Sequence, residues 1–212
     1  IPPFSCTIFV NATEEDLDFS SLSESELEER FQPYQDVLDQ VNEEYNTQIQ
    51  IADPLRKVET YRKVLSKTLD EFRSDLEEYI AFTEELSNMA DENGVIHLDS
   101  SSVTYSVQET RATPLLVYQY AYLERGGGIR LSAYKSWHPT QSYAMYSSIN
   151  SVIGVSDSDG WTFGLSDYSY SLKNNSRQCD VTVRGIHSDP SGFTNTAIYT
   201  YSTTFYAVSY TH

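Results

Sequence analysis

The chain has 212 residues and a formal net charge of −17 at pH 7. This charge argues against nucleic acid as a partner, because phosphate binding depends on lysine and arginine, and it argues against an anionic membrane surface for the same reason. Residues 1–99 carry 24 acidic and 7 basic side chains, whereas residues 100–212 carry 7 of each. Thirteen of the 17 tyrosines and both tryptophans lie after residue 99. The chain therefore joins two physically different segments.

The first twelve residues are apolar and uncharged, and an acidic stretch follows them at once. Val10-x-Ala12 resembles the small-residue cleavage pattern of secretory signal peptides. We therefore expect residues 1–12 to be the tail of a signal peptide and the protein to be secreted or at the cell surface; an ordinary apolar strand is the alternative. No run approaches the roughly 18–20 apolar residues that cross a bilayer, so stable membrane insertion is not expected.

Residues 13–90 have the pattern of an acidic helical module. Ser23-Glu-Ser-Glu26 is a capping box that begins a first helix, with a kink or a restart expected at Pro33 and a left-handed C-cap at Asn46. Asp53-Pro54 predicts the start of a second helix that ends near residue 65. A second capping box, Thr68-Leu-Asp-Glu71, begins a third helix. The apolar residues of the first helix follow 4-3-4-3-4 spacing, which places them on one face: Leu27, Phe31, Tyr34, Leu38, Val41 and Tyr45.

The run from Phe31 to Ile51, followed by Lys67-Thr-Leu-Asp-Glu-Phe72, resembles a small helical module in exported proteins of Gram-positive, gut-type bacteria. The pattern of that module is roughly Tyr-x-x-x-Leu-x-x-x-Asn-x-x-Tyr-Gly-Thr, then a short extended piece, then Thr-Leu-Glu-Glu-Phe. This chain has Asn46 where the pattern has glycine, and both residues tolerate a left-handed turn. The resemblance covers about residues 24–86 and implies an exported bacterial protein, but it implies no activity.

After Asn93-Gly94 the apolar period changes from about 3.6 to 2, which indicates strands. We expect a linker at 91–102 and an antiparallel β-sandwich or barrel at 103–212. Turn residues separate the expected strands, which are 95–98, 103–108, 115–123, 129–137, 161–172, 179–187 and 197–210.

The sequence contains no strong catalytic or metal-binding motif. Cys179 and His187 form the only cysteine–histidine pair on one expected strand, but an extended strand places them about 26 Å apart. A buried core cysteine is therefore the favoured interpretation of Cys179. Asp157-x-Asp159-Gly160 lacks the later ligands of a calcium loop and predicts a β-turn. We predict no catalytic residue, no metal and no cofactor.

Aromatic residues are the best candidates for a binding site. Tyr134, Trp137, Trp161 and Tyr168 lie on the expected strands, and both tryptophans border a loop. Exposed rings offer stacking area for a glycan or anchoring area for an extracellular protein. The alternative is that these rings form the core of the sheet.

The expected function is therefore a non-catalytic binding or interaction role at or outside the cell surface. One alternative is a pore-forming or toxin-like secreted protein, because long Ser/Thr/Tyr strands could alternate in a membrane barrel. The other is a secreted hydrolase whose site the sequence does not reveal.

Overall fold

A computed structural model of the chain describes residues 19–98, 114–123, 125–137, 140 and 143–207. The expected signal-peptide tail at 1–12 and the expected strand at 103–108 lie outside the described residues. The helices are α1 (Glu24–Tyr45), α2 (Lys57–Leu65) and α3 (Leu69–Met89), and the strands are β1 (Gln50–Ile51), β2 (Val95–Leu98), β3 (Leu115–Tyr122), β4 (Gly128–Trp137), β5 (Ala144–Val155), β6 (Thr162–Lys173), β7 (Gln178–Ser188), β8 (Phe193–Thr194) and β9 (Tyr199–Tyr206).

The helical elements match the pattern of their sequence. Both capping boxes form, at Ser23 with Glu26 and at Thr68 with Glu71. Asn46 ends α1 in the left-handed conformation, with φ 51° and ψ 48°. The expected restart at Pro33 is wrong, because α1 is one continuous helix that buries apolar residues on both sides of the proline. Asp53 caps a 3-10 turn at Pro54–Arg56, and α2 follows it directly.

The strands form two sheets, so the described strands do not close into one barrel. In the larger sheet, β7 lies between β6 and β9, β2 pairs with the far side of β9, and β8 and β1 extend the end of β7. The smaller sheet has the order β3-β4-β5. All strand pairs are antiparallel except β2 with β9, which is parallel.

The parallel pair corrects the expectation of a purely antiparallel arrangement. A parallel pair needs a long crossover, and here the chain from β3 to β8 lies between the two partners. β2 confirms the expected strand at 95–98, and it places part of the expected linker 91–102 inside the sheet.

The pattern of the sequence does not reveal β5, which lies between two expected strands. Serine and asparagine occupy most of residues 147–151, so apolar and polar residues do not alternate there. The register of β4 with β5 also shifts twice, between Ser132 and Ala133 and between Tyr134 and Lys135. Such bulges interrupt the period of two on which strand prediction depends.

Helices and sheets share one hydrophobic core. Phe72 of α3 packs against Phe193 of β8 with ring centroids 5.4 Å apart. The Tyr79 hydroxyl of α3 donates to the carbonyl of His187 at 3.0 Å and accepts from the amide of Asn195 at 2.8 Å. Through these contacts the helices bury apolar side chains against the β residues and form hydrogen bonds with them. The division of the chain into domains stays a prediction.

Candidate functional site

The four aromatic residues expected to bind ligand lie in different environments. The ring of Trp161 is buried, with 6% of its surface exposed, so the expectation that it reaches solvent is wrong. Trp137 is half-buried at the end of β4. Tyr134 and Tyr168 are exposed, at 37% and 42%, but they lie on different sheets. The structure therefore does not gather the four residues into one site.

Trp161 is buried because α3 lies over the loop end that precedes β6. Its ring centroid is 5.9 Å from that of Tyr79 and 4.7 Å from that of Phe82. The guanidinium of Arg125 lies over the same ring at 4.6 Å and also pairs with Glu78 of α3. Sequence position beside a glycine suggested exposure, but a distant helix supplies the cover.

Tyr134 belongs to a second group of rings, on the face of the smaller sheet that is turned away from the core. Strand pairing sets Tyr118 opposite Ser132, Tyr120 opposite Arg130, and Leu116 opposite Tyr134. Directly paired residues of an antiparallel sheet project on the same side, so these side chains share one face. We call it the tyrosine face, and it comprises Tyr118, Tyr120, Tyr122, Arg130, Ser132 and Tyr134.

The rings of the tyrosine face are ordered by their contacts. Tyr120 and Tyr122 stack with centroids 5.7 Å apart and an interplanar angle of 2°. The guanidinium of Arg130 lies 5.1 Å from the ring centroid of Tyr118. Tyr122 is 44% exposed, whereas Tyr118 and Tyr120 are half-buried. The rings are thus held in place while part of their surface remains open.

Polar groups lie between these rings. The side-chain amide of Asn150 donates to the hydroxyl of Ser132 at 3.3 Å. The Nε of Arg130 is buried and has no hydrogen-bond acceptor among the described residues. A buried donor without an acceptor is costly. The tyrosine face therefore combines the stacking area of its rings with the guanidinium of Arg130.

The cysteine and histidine considered for catalysis are both part of the core. Cys179 has none of its surface exposed, and burial raises the pKa of its thiol to about 12. His187 is equally enclosed, and burial lowers the pKa of its imidazole to about 4. Its Nδ1 donates to the carbonyl of Gly126 at 2.7 Å, so its Nε2 accepts from the hydroxyl of Tyr201 at 2.6 Å. One nitrogen of this histidine therefore bonds the loop between β3 and β4, and the other bonds Tyr201 of β9.

Asp157 and Asp189 shape loops through their carboxylates. Asp157 accepts backbone N–H groups from Asp159 and Trp161 on one oxygen and from Gly126 and Gly127 on the other. This confirms the turn interpretation of residues 157–160. Among the residues that the structure describes, no three histidine, cysteine or acidic side chains come together as a metal site requires.

Sequence reasoning missed Arg130, the charged centre of the tyrosine face. Its signal was its position in β4 between Ile129 and Leu131, because alternation places a residue there on the outer face of the strand. The pairing with Tyr120 across strands was not visible without the register.

Comparison of the chain with protein-family models gives no match, and curated proteins and solved structures give no significant match either. No described helix has the length and the apolar character that crossing a membrane requires.

Proposed function

We propose that this chain is a non-catalytic binding protein whose tyrosine face binds a glycan outside the cell. The observation that carries the proposal is the group of partly exposed tyrosine rings set beside the guanidinium of Arg130. A glycan presents both features that this face complements. Its sugar rings offer C–H faces to the aromatic rings, and its hydroxyl and ring oxygens accept hydrogen bonds from the guanidinium.

The geometry of the face favours a glycan over a protein partner. Protein interfaces rely on large side chains inserted into desolvated pockets. The tyrosine face is instead one side of three paired strands, with its rings at every second residue of β3 and the polar side chains of Ser132 and Asn150 between them. Tyrosine supplies this contact area at low entropic cost, because its ring has only two side-chain torsions.

We base the role outside the cell on the resemblance of the helical module to modules in exported bacterial proteins. We also propose that the two sheets are the layers of an open β-sandwich. One contact between the sheets supports this arrangement, because the side chain of Gln119 in β3 donates to the carbonyl of Tyr206 in β9 at 3.0 Å. The hydroxyl of Tyr146, which lies in the same sheet as Gln119, donates to the same side chain.

The test is a glycan array probed with the wild-type protein, Arg130→Gln and Tyr120→Ala. We expect binding of a defined set of glycans by the wild type, a loss of about tenfold or more in either variant, and no change in Tyr45→Ala. Tyr45 is 41% exposed on α1, so it controls for the removal of an exposed tyrosine ring elsewhere. Circular dichroism confirms that each variant is folded.

Three outcomes would contradict the proposal. Glycan binding that both variants retain would place the site elsewhere. Vesicle leakage without glycan binding would favour the toxin-like alternative. Cleavage of a bound glycan by the wild type would favour the hydrolase alternative.

A further inference from the structure

The outer strand of the larger sheet is unusually open. All eight residues from 166 to 173 of β6 are exposed, and among the described strands β6 pairs only with β7. Tyr168, Tyr170 and Leu172 pair with Val183, Val181 and Cys179 of β7, all of which are buried. The apolar face of the sheet therefore continues onto β6 and is uncovered there. This surface is separate from the tyrosine face, and it has no part in the proposed glycan binding.

An open strand edge also presents unpaired backbone groups. The backbone N–H of Tyr168 is bonded to the carboxylate of Asp167 at 2.8 Å rather than to β7, so Tyr168, Tyr170 and Leu172 direct their backbone groups to the open side. A strand from another chain could pair with these three residues. Exposed edges of this kind are templates for strand addition unless charge or shape blocks them.

The sequence of this edge is complementary to itself. We propose that β6 pairs with β6 of a second copy of this chain, antiparallel and about a two-fold axis at Tyr170. In this register Asp167 lies opposite Lys173 of the other copy, Tyr168 opposite Leu172, Ser169 opposite Ser171, and Tyr170 opposite itself. Each hydrogen-bonded pair exchanges two bonds, so the three outward-directed pairs form about six.

The charges select this register over its neighbours. A shift of two residues in one direction sets Asp167 opposite Ser171, and a shift in the other sets Lys173 opposite Ser169. A shift of one residue places the tyrosines on opposite faces of the extended sheet. Only the register centred on Tyr170 pairs both charges and keeps Tyr168, Tyr170 and Leu172 of both copies together on one face.

Existing contacts of the two charged side chains are compatible with the pairing. Lys173 forms an exposed ion pair with Asp180 at 2.5 Å, and Asp167 lies opposite Arg184 of β7. In the dimer, the face of the extended sheet opposite the tyrosine rings would therefore carry Arg184, Asp167, the partner's Lys173 and the partner's Asp180. The charges of these four side chains alternate in sign. Asp167 would exchange the N–H of Tyr168 for the ammonium of the partner's Lys173. The N–H of Tyr168 would then donate to the carbonyl of the partner's Leu172.

The experiment uses two single variants of the full chain, Asp167→Lys and Lys173→Asp, in sedimentation velocity up to about 1 mM protein. We expect the wild type to dimerise. In each variant alone, two like-charge pairs oppose each other across the axis, and we expect dimerisation to weaken about tenfold or more. An equimolar mixture restores opposite charges at both ends, so the two variants should form a mixed dimer as tightly as the wild type. A fluorescent label on one variant detects this mixed dimer.

Two further variants keep the test decisive. Glu85→Lys makes the same charge change as Asp167→Lys at an exposed position of α3, and it should dimerise as the wild type does. Tyr170→Pro removes an outward N–H without removing a bond to β7, and it should be monomeric. A wild type that stays monomeric up to about 1 mM overturns the proposal. A dimer that tolerates both single charge variants, or a mixture that does not restore dimerisation, also overturns it.

Discussion

Two groups of aromatic rings in this molecule differ in what lies over them. Trp161 packs against Phe82 of α3, Phe163 packs against His187, and both rings are buried. The rings of the tyrosine face project from a similar antiparallel sheet, but no described helix packs on them, and they keep part of their surface open. The presence of an aromatic ring therefore does not by itself determine whether the side chain is buried or exposed. The decisive factor is whether a helix far away in sequence covers the strand.

The largest expected effect separates the two groups by stability. Trp161→Ala removes a ring packed between Tyr79, Phe82 and Arg125, and we expect it to lower the free energy of unfolding by about 3–5 kcal/mol. Tyr134→Ala removes a ring from the tyrosine face and should cost about 0.5 kcal/mol or less. Urea unfolding of both variants provides the comparison. Equal losses would show that the two groups do not differ in burial.

The same comparison explains which parts of the fold were predictable. The helices were predictable because capping boxes and the 3.6 period are local signals, as at Ser23 and Thr68. The exposure of Trp161 was not, because the residues that cover it are about 80 positions earlier in the chain. β5 was missed because bulges interrupt its alternation. The tyrosine face required the register of β3 with β4, which no single strand encodes.

Two buried titratable side chains, Asp189 and His187, make the stability of the protein depend on pH in opposite directions. Burial raises the pKa of Asp189 to about 6, despite N–H donors from Gly192 and Phe193. Its stabilising contribution is present below pH 4 and is lost as the pH rises through 6. His187 has the opposite sign: its pKa of about 4 means that stability is lost as the pH falls from 6.5 to 4. The two effects oppose each other between pH 4 and 6.

In Asp189→Asn, only His187 of these two residues still makes the free energy of unfolding depend on pH. We expect the variant to lose about 2 kcal/mol more stability than the wild type when the pH falls from 6.5 to 4, because the wild type regains most of the stabilising contribution of Asp189 over this range and one pKa unit corresponds to about 1.4 kcal/mol. Chemical denaturation at several pH values measures the difference. Asp159→Asn, in an exposed turn, is the control and should follow the wild type. A parallel pH dependence in wild type and Asp189→Asn would refute the raised pKa.

A smaller effect is expected where α3 joins the larger sheet. Tyr79→Phe keeps the ring against Trp161 but removes the hydroxyl that accepts from the amide of Asn195. The carbonyl of His187 keeps the hydroxyl of Thr194 as a donor at 2.6 Å, so only the half-buried amide of Asn195 is left without its partner. We expect a loss of about 1–2 kcal/mol. Tyr206→Phe, at an exposed position, should change stability by less than about 0.5 kcal/mol. Similar losses in both variants would mean that the hydroxyl of Tyr79 does not join the helix to the sheet.

The smallest effect marks where the covered part of the larger sheet ends. Cys179 is fully buried, yet its strand partner Leu172 is 37% exposed. Cys179→Ser should cost about 1 kcal/mol, because a hydroxyl replaces a thiol among apolar neighbours. The wild-type thiol should react with a soluble disulfide reagent only at the rate of local opening, since burial raises its pKa to about 12. Leu172→Ser alters the exposed neighbour and leaves the thiol in place, so it should react at nearly the same slow rate. Rapid modification of the folded wild type would place the edge of the core one strand further inward, at β7 itself, and would make Cys179 part of the open surface.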